Sequence, residues 1–185
     1  MTSLIILAII IAVIGYGVYL YNDLVSKRQL VQEGWSGIDV QLKRRTDLIP
    51  NLLETVKGYM GHERETLEAV VQARAAATAG ASAGPEERAK LEGTLSGALG
   101  KLLAIAEAYP DLKANTTFLE FQGALQKVED EVQLSRRYYN GATRNLNTSV
   151  ESFPQNVLAS MFKFDKAEYF ELENEADRAV PSVKF

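Results

Sequence analysis

The first 22 residues carry no charged side chain, and from Leu4 to Tyr21 the chain reads LIILAIIIAVIGYGVYLY, 18 uncharged positions in a row. As a helix this stretch rises about 27 Å, close to the roughly 30 Å hydrocarbon thickness of a bilayer. Tyr16, Tyr19 and Tyr21 gather at its C-terminal end, where amphipathic rings favour the headgroup region. A cleaved secretory leader needs a basic start and small residues before the cut. Met1, Thr2 and Ser3 include no Lys or Arg, and the exit runs Tyr-Leu-Tyr-Asn. The pattern predicts an uncleaved transmembrane signal anchor over residues 4–21.

Beyond the anchor, apolar residues recur every seven positions in paired series. Val31 and Ile38 run beside Trp35 and Leu42; Ile49, Val56 and Val70 beside Leu53, Met60 and Leu67. Leu91, Ala98 and Ile105 run beside Leu95, Leu102 and Tyr109; Phe118, Leu125, Val132, Tyr139 and Leu146 beside Phe121, Val128 and Ala142. A 3.5-residue hydrophobic period selects helices crossing at about 20°, as in coiled coils and antiparallel bundles. Asp47 reads as the cap of a second helix with Pro50 in its first turn, where the missing N–H has no partner to lose. AGASAGPEE at 79–87 reads as a loop followed by a proline-initiated helix, its dipole favouring Glu86 and Glu87. Tyr109-Pro110 closes that helix, Thr117 with Glu120 fits a capping box opening the next, and Ser152-Phe153-Pro154 ends it before a short helix from Pro154 to Met161.

The predicted fold class is all-α: an N-terminal transmembrane helix, then an elongated antiparallel four-helix bundle over 22–150, then a short helix and docked acidic tail over 151–185. Bundle helices of about 25 to 35 residues would be about 35 to 50 Å long. The first of them is expected to continue the transmembrane helix without a linker, with Gly34 and Gly37, each about 1 kcal/mol poorer than Ala in a helix, as places for a bend.

Charge sets the orientation and narrows the partners. Lys27 and Arg28 follow the span whereas nothing basic but the α-amine precedes it, which predicts an external N-terminus and a cytoplasmic bundle. The net charge is -4, and residues 165–178, with six acids against two bases, account for all of it. No excess basic field remains to recruit nucleic acid. The stretch from 23 to 45 has a balance of +2, which permits charge complementarity between copies.

The chemistry is sparse. No cysteine means no disulfide, thiolate zinc site, iron–sulfur cluster or thiol nucleophile, and one histidine excludes any site needing two imidazoles. His62-Glu63 starts like a zincin motif, but Thr66 stands where the second histidine belongs. Glu129, Asp130 and Glu131 form an acidic run on a charged helix. No P-loop, GxGxxG or GxSxG occurs, so no enzymatic activity and no cofactor is expected. Asp39 and Lys43 read as an i,i+4 surface pair, worth about 0.2–0.5 kcal/mol. Arg44 and Arg45 are candidates to cross to an acidic face of a neighbouring copy. Arg137, Asn140 and Arg144 share one helical stripe, and the apolar end Val180 to Phe185 reads as a docking segment; these complete the candidate oligomer or partner interface.

The residues then become recognisable. YNDLVSKRQLVQEGWSGIDVQLKRRTDLIPNLLETVKGY at 21–59, AEAYPDLKANTTFLEFQ at 106–122, RRYYNGATRNLN at 136–147, ESFPQNVLASMFKF at 151–164 and the closing YFELENEADRAVPSVKF together resemble the LemA family. That resemblance implies a bacterial single-pass membrane protein with a long-helix bundle and no established enzymatic activity. It also implies relatives associated with shaping internal membranes and others found with envelope proteolysis systems. The expected partners are therefore the lipid bilayer, further copies of the chain as a homo-oligomer, and a membrane protease or other envelope protein. The expected role is a non-enzymatic scaffold that organises or shapes membrane, the alternative being an adaptor for a membrane protease or quality-control complex.

Overall fold

The computed structural model describes residues 1–171, of which 84% are helical, with no strand among them. The all-α class is as expected. The order is α1 (Thr2–Lys57), α2 (Arg64–Ala79), a 3₁₀ turn (Gly80–Ser82), α3 (Pro85–Ala106), the one-turn α4 (Pro110–Lys113), α5 (Thr116–Glu151) and α6 (Gln155–Met161).

The anchor and the first bundle helix form one uninterrupted helix of 56 residues. Its apolar N-terminal stretch is long enough to cross a membrane, and the side chains there are outward, as at Leu4 (71% exposed) and Ile11 (61%). The expected helix start at Asp47 is not there: α1 runs through Pro50 and ends at Lys57. A proline inside a helix deprives the carbonyl four residues earlier of its donor, at a cost of about 3 kcal/mol. Here that carbonyl belongs to Thr46, and the Nε–H of Arg74 in α2 donates to it at 3.0 Å. A long-range bond thus replaces the one that Pro50 cannot make.

The break comes instead at Gly58–Glu63. Two glycines with poor helix propensity flank Tyr59 and Met60, and the N–H groups of both Tyr59 and Met60 turn back onto the Val56 carbonyl, at 3.0 and 2.9 Å. Met60 is fully buried, so the turn is sealed by the core beneath it. The opening of α5 also differs from expectation: the Asn115 side chain, not Thr117, accepts from the Phe118 N–H at 3.0 Å. α3 begins as expected, with Pro85 in its first turn beside Glu86 and Glu87.

The chain divides into two compact units. The first comprises Met1–Gly37 and Ser135–Tyr169; the second comprises Ile38–Leu134 and the described residues after Tyr169. In the second unit Ile49, Leu52 and Val56 of α1, Leu67 and Val70 of α2, Leu95 and Leu102 of α3, Leu112 of α4 and Phe118 of α5 form one mainly aliphatic core. Burying each such side chain contributes about 1.5–3 kcal/mol. In the first unit α1 meets α5 at Gly34, where a Cβ would lie 3.0 Å from the Tyr139 Cα. Trp35 packs against Tyr139 with the rings tilted by 54° and their centroids 5.5 Å apart.

The acidic segment that follows α6 is held on α5 at Ala167 and Glu168. The Asn147 side chain donates to the Ala167 carbonyl at 2.9 Å and accepts from its N–H at 2.8 Å, and the Tyr139 hydroxyl donates to the Glu168 carbonyl at 2.7 Å. The apolar end with Phe185 lies outside the described residues.

Candidate functional site

The richest polar constellation lies inside the second unit, where α1, α3 and α5 each supply members. Arg45 follows Leu42 by three residues, which carries it to the core side of α1, and its side chain is 2% exposed. One of its terminal nitrogens donates to the Ser96 hydroxyl at 2.8 Å and to Glu129 at 3.0 Å; the other donates to the Glu92 carbonyl at 3.3 Å and closely to the Glu92 carboxylate. Glu92 is itself buried, and its second oxygen accepts from Arg88 Nε at 3.1 Å. Arg88 continues to the Gly80 carbonyl at 3.1 Å and lies 3.9 Å from Asp39.

This arrangement corrects the reading of Arg45 as a contact to another copy: its charge is taken up by Glu92 and Glu129 of its own chain. It also corrects the pairing of Asp39. Lys43 forms its ion pair with Asp47 at 2.8 Å, while Asp39 turns toward Arg88. Arg44 does reach the surface, where it donates to Gln41 at 2.9 Å.

Asp39, Lys43, Asp47, Arg74 and Arg88 line an open hollow of about 370 Å³ floored by Thr46 and Ala77. Three cations and two carboxylates share its lining, so it presents charges of both signs and no single-sign cradle. Arg74 and Arg88 are held by the backbone carbonyls of Thr46 and Gly80.

In the first unit Arg137 and Arg144 are exposed on α5, seven residues apart on one stripe, with Asn140 half-buried between them. The two groups of candidate residues therefore belong to different units.

His62 lies in the turn between α1 and α2, exposed, and not on a helix face. Glu129 accepts from Arg45, Asp130 from Gln126 at 3.2 Å and Glu131 from Gln41 at 3.4 Å, so the acidic run is engaged residue by residue. No group of three or more metal-ligating side chains occurs among the described residues. The perturbed groups are few: the Lys90 hydrogen bond and charge hold the Glu86 carboxyl below its usual range, and burial, then Glu63, pushes the Tyr109 phenol up.

Sequence reasoning missed Arg88, Glu92, Ser96 and Arg74. A faint signal existed for three of them: Arg88, Glu92 and Ser96 recur every four residues alongside the Leu91–Leu95 seam, a polar row where an amphipathic helix turns inward. Nothing local marked Arg74.

Comparison with known proteins places the chain. Residues 34–185 match the family model of the LemA family. A relative called Magnetosome protein MamQ 2, from Paramagnetospirillum magneticum, is 26% identical over 184 residues, covering 86% of this chain and 68% of that protein. Protein LemA of Metamycoplasma hominis is 28% identical over 138 residues, 75% of this chain and 63% of that protein. Magnetosome protein MamQ of Magnetospirillum gryphiswaldense is 24% identical over 174 residues, 81% of this chain and 64% of that protein. The chain thus spans about two thirds of the length of these relatives.

Proposed function

The chain belongs to the LemA family, and from that membership we propose that it is a membrane-anchored, non-enzymatic helical scaffold that associates with further copies of itself and organises or shapes the bacterial membrane. It is a membrane-associated helical protein. The observation that carries the scaffold reading is α1 itself. One unbroken helix presents an exposed apolar segment long enough to span, then contributes Leu24 to one packed core and Ile49 to another. An anchor tethered by a flexible linker would only localise the body, whereas a continuous helix passes mechanical load from bilayer to body.

The surfaces available for self-association are the exposed cations Arg44, Arg137 and Arg144 and the rim of the hollow at Asp39 and Lys43. Their complement is the acidic segment that begins at Asp165. Inner-membrane residence is part of this reading, and Lys27 and Arg28 after the span support an external N-terminus. Protease access to the body in sealed vesicles of known sidedness tests that placement: an inside-out vesicle should expose it.

The deciding experiment is the particle mass of full-length protein in mild detergent by size-exclusion light scattering, with electron microscopy of the same peak. A large regular particle that R44E/R137E/R144E disperses supports the scaffold. A monomer or dimer overturns it and favours an adaptor that holds a membrane protease or another envelope protein.

A further inference from the structure

We infer that the α6 corner, from Phe153 to Lys163, is a second membrane contact, a short apolar wedge that seats in the headgroup region beside the point where α1 leaves the bilayer. This placement rests on reading α1 as a span.

Gln155 at the start of α6 donates to Asp23 at 2.8 Å, and Lys27 donates to the same carboxylate at 2.6 Å and to Ser149 at the end of α5 at 2.7 Å. Leu24, Ala159 and Phe164 form a small buried core. Phe162 packs edge-on against Tyr21, the last residue of the apolar stretch, with centroids 4.8 Å apart. These bonds fix α6 at the level along α1 where the uncharged stretch gives way to the first charge.

One side of α6 is used for that attachment and the other is not. Val157 and Met161, four residues apart on one face, are 54% and 67% exposed, and Phe153 and Phe162 at the two ends are 82% and 51% exposed. Four large apolar side chains left more than half exposed on so short a segment, Phe162 among them although its ring also meets Tyr21, are more apolar surface than a water-facing corner would favour. The bilayer interface is the occupant that adjacency supplies, because Tyr21 and the Tyr16–Tyr19 ring pair already mark that depth.

The cations are placed to match. α6 closes with the Phe164 N–H on the Ala159 carbonyl at 2.9 Å and Lys163 at φ 55°. This left-handed turn leaves the Lys163 side chain exposed between Phe162 and Phe164, and Arg28 lies over the Phe164 ring at 4.7 Å from its centroid. An apolar face flanked by exposed bases is the pattern of a segment lying in an anionic interface.

The chain has no cysteine, so single-cysteine variants V157C and M161C of the full-length protein take one environment-sensitive fluorophore each. I10C within the span and V71C on α2 serve as references. The proteins are reconstituted in phosphatidylglycerol–phosphatidylcholine vesicles, with and without lipids bearing a nitroxide near the headgroup or deep in the acyl chains. The expected result is blue-shifted emission at 157 and 161, quenched by the shallow nitroxide and protected from iodide, with 71 aqueous and 10 quenched by the deep nitroxide. Aqueous emission at 157 and 161 with 10 still deep overturns the wedge and leaves the span intact. Protection from iodide without nitroxide quenching also overturns it, by showing that protein covers α6. An aqueous signal at 10 overturns the span and the wedge together.

Discussion

Both units draw on α1 and α5, yet they are held together by different means. The second unit adds α2 and α3 and fills itself with aliphatic side chains around a buried set of charges, Arg45, Glu92 and Arg88. The first adds only the seven-residue α6, with a small core of Leu24, Ala159 and Phe164. It brings the two backbones close at Gly34, sets Trp35 against Tyr139, and uses the Asn147 amide and the Tyr139 hydroxyl to hold the extended segment at Ala167 and Glu168. The contrast teaches where each unit is vulnerable. The aliphatic unit should tolerate volume changes at its rim and fail when a charge loses its partner, while the close-packed unit should fail when anything is added at the contact.

The largest effect is expected at Glu92. E92M leaves Arg45 with the partly exposed Glu129 as its one remaining charge partner and deprives Arg88 of its nearest carboxylate, and breaking a buried pair in this way costs about 3–5 kcal/mol. The triple variant R45M/E92M/R88M should recover most of the loss, since well-packed apolar replacement of buried ions is near neutral or better. Hydrogen exchange resolved by peptide reads both variants. Protection should fall in α2 and α3 and persist between residues 135 and 169; loss in both regions would mean that the two units unfold as one.

Gly34 tests the other half of the comparison. G34L drives a side chain into the Tyr139 backbone, and overpacking of this kind costs about 1–3 kcal/mol. Trp35 is the only tryptophan in the chain and lies against Tyr139, so its emission is a built-in reporter. A red shift in G34L but not in E92M is the expected pattern, and a red shift in both would remove the distinction. A smaller change, about 1 kcal/mol, is expected from N115A, which removes the α5 cap and the hydrogen bond from Asn115 to the Tyr59 hydroxyl. Thermal unfolding of N115A against T117A separates the cap that forms from the one that the sequence pattern favours.

That last pair shows how the sequence could mislead. The seven-residue spacing correctly places Ile38, Leu42, Leu53, Val56, Val70, Leu102 and Leu146 in the interior, because burial on a helix face is a local consequence of period. The same regularity hid the break at Gly58–Glu63, since Met60 and Leu67 stay in phase across it. Asp47 with Pro50 carries a sound local signal for a helix start, overridden by a hydrogen bond from Arg74, 28 residues away. Arg45 looked like one of three exposed bases, although it follows Leu42 by three residues on the inward row; that a base is accommodated there depends on Glu92, a fact of tertiary structure. The candidate site was therefore visible as a charged block, but its division into a buried half and a surface half was not.

The smallest effects are electrostatic, and they separate the units by pH. Burial pushes the Tyr139 phenol up, the Thr143 hydroxyl pulls it partly back and the Glu168 charge adds to the rise. A phenol whose folded pKa lies above its unfolded value contributes stability that is whole below the unfolded pKa and is lost as pH climbs through the folded one. Ionisation would also remove the proton that Tyr139 donates to the Glu168 carbonyl. The first unit should thus loosen on the alkaline side, above about pH 10. Glu86 runs the other way. Its folded pKa is depressed by Lys90, so its contribution to the start of α3 is present above the unfolded value and fades as pH falls through the folded one. This exposed pair should give the weaker signal of the two. Trp35 emission followed through an alkaline titration, in the parent chain and in Y139F, decides the larger: Y139F should flatten the transition, and an unchanged curve would assign it to groups outside the Gly34 contact.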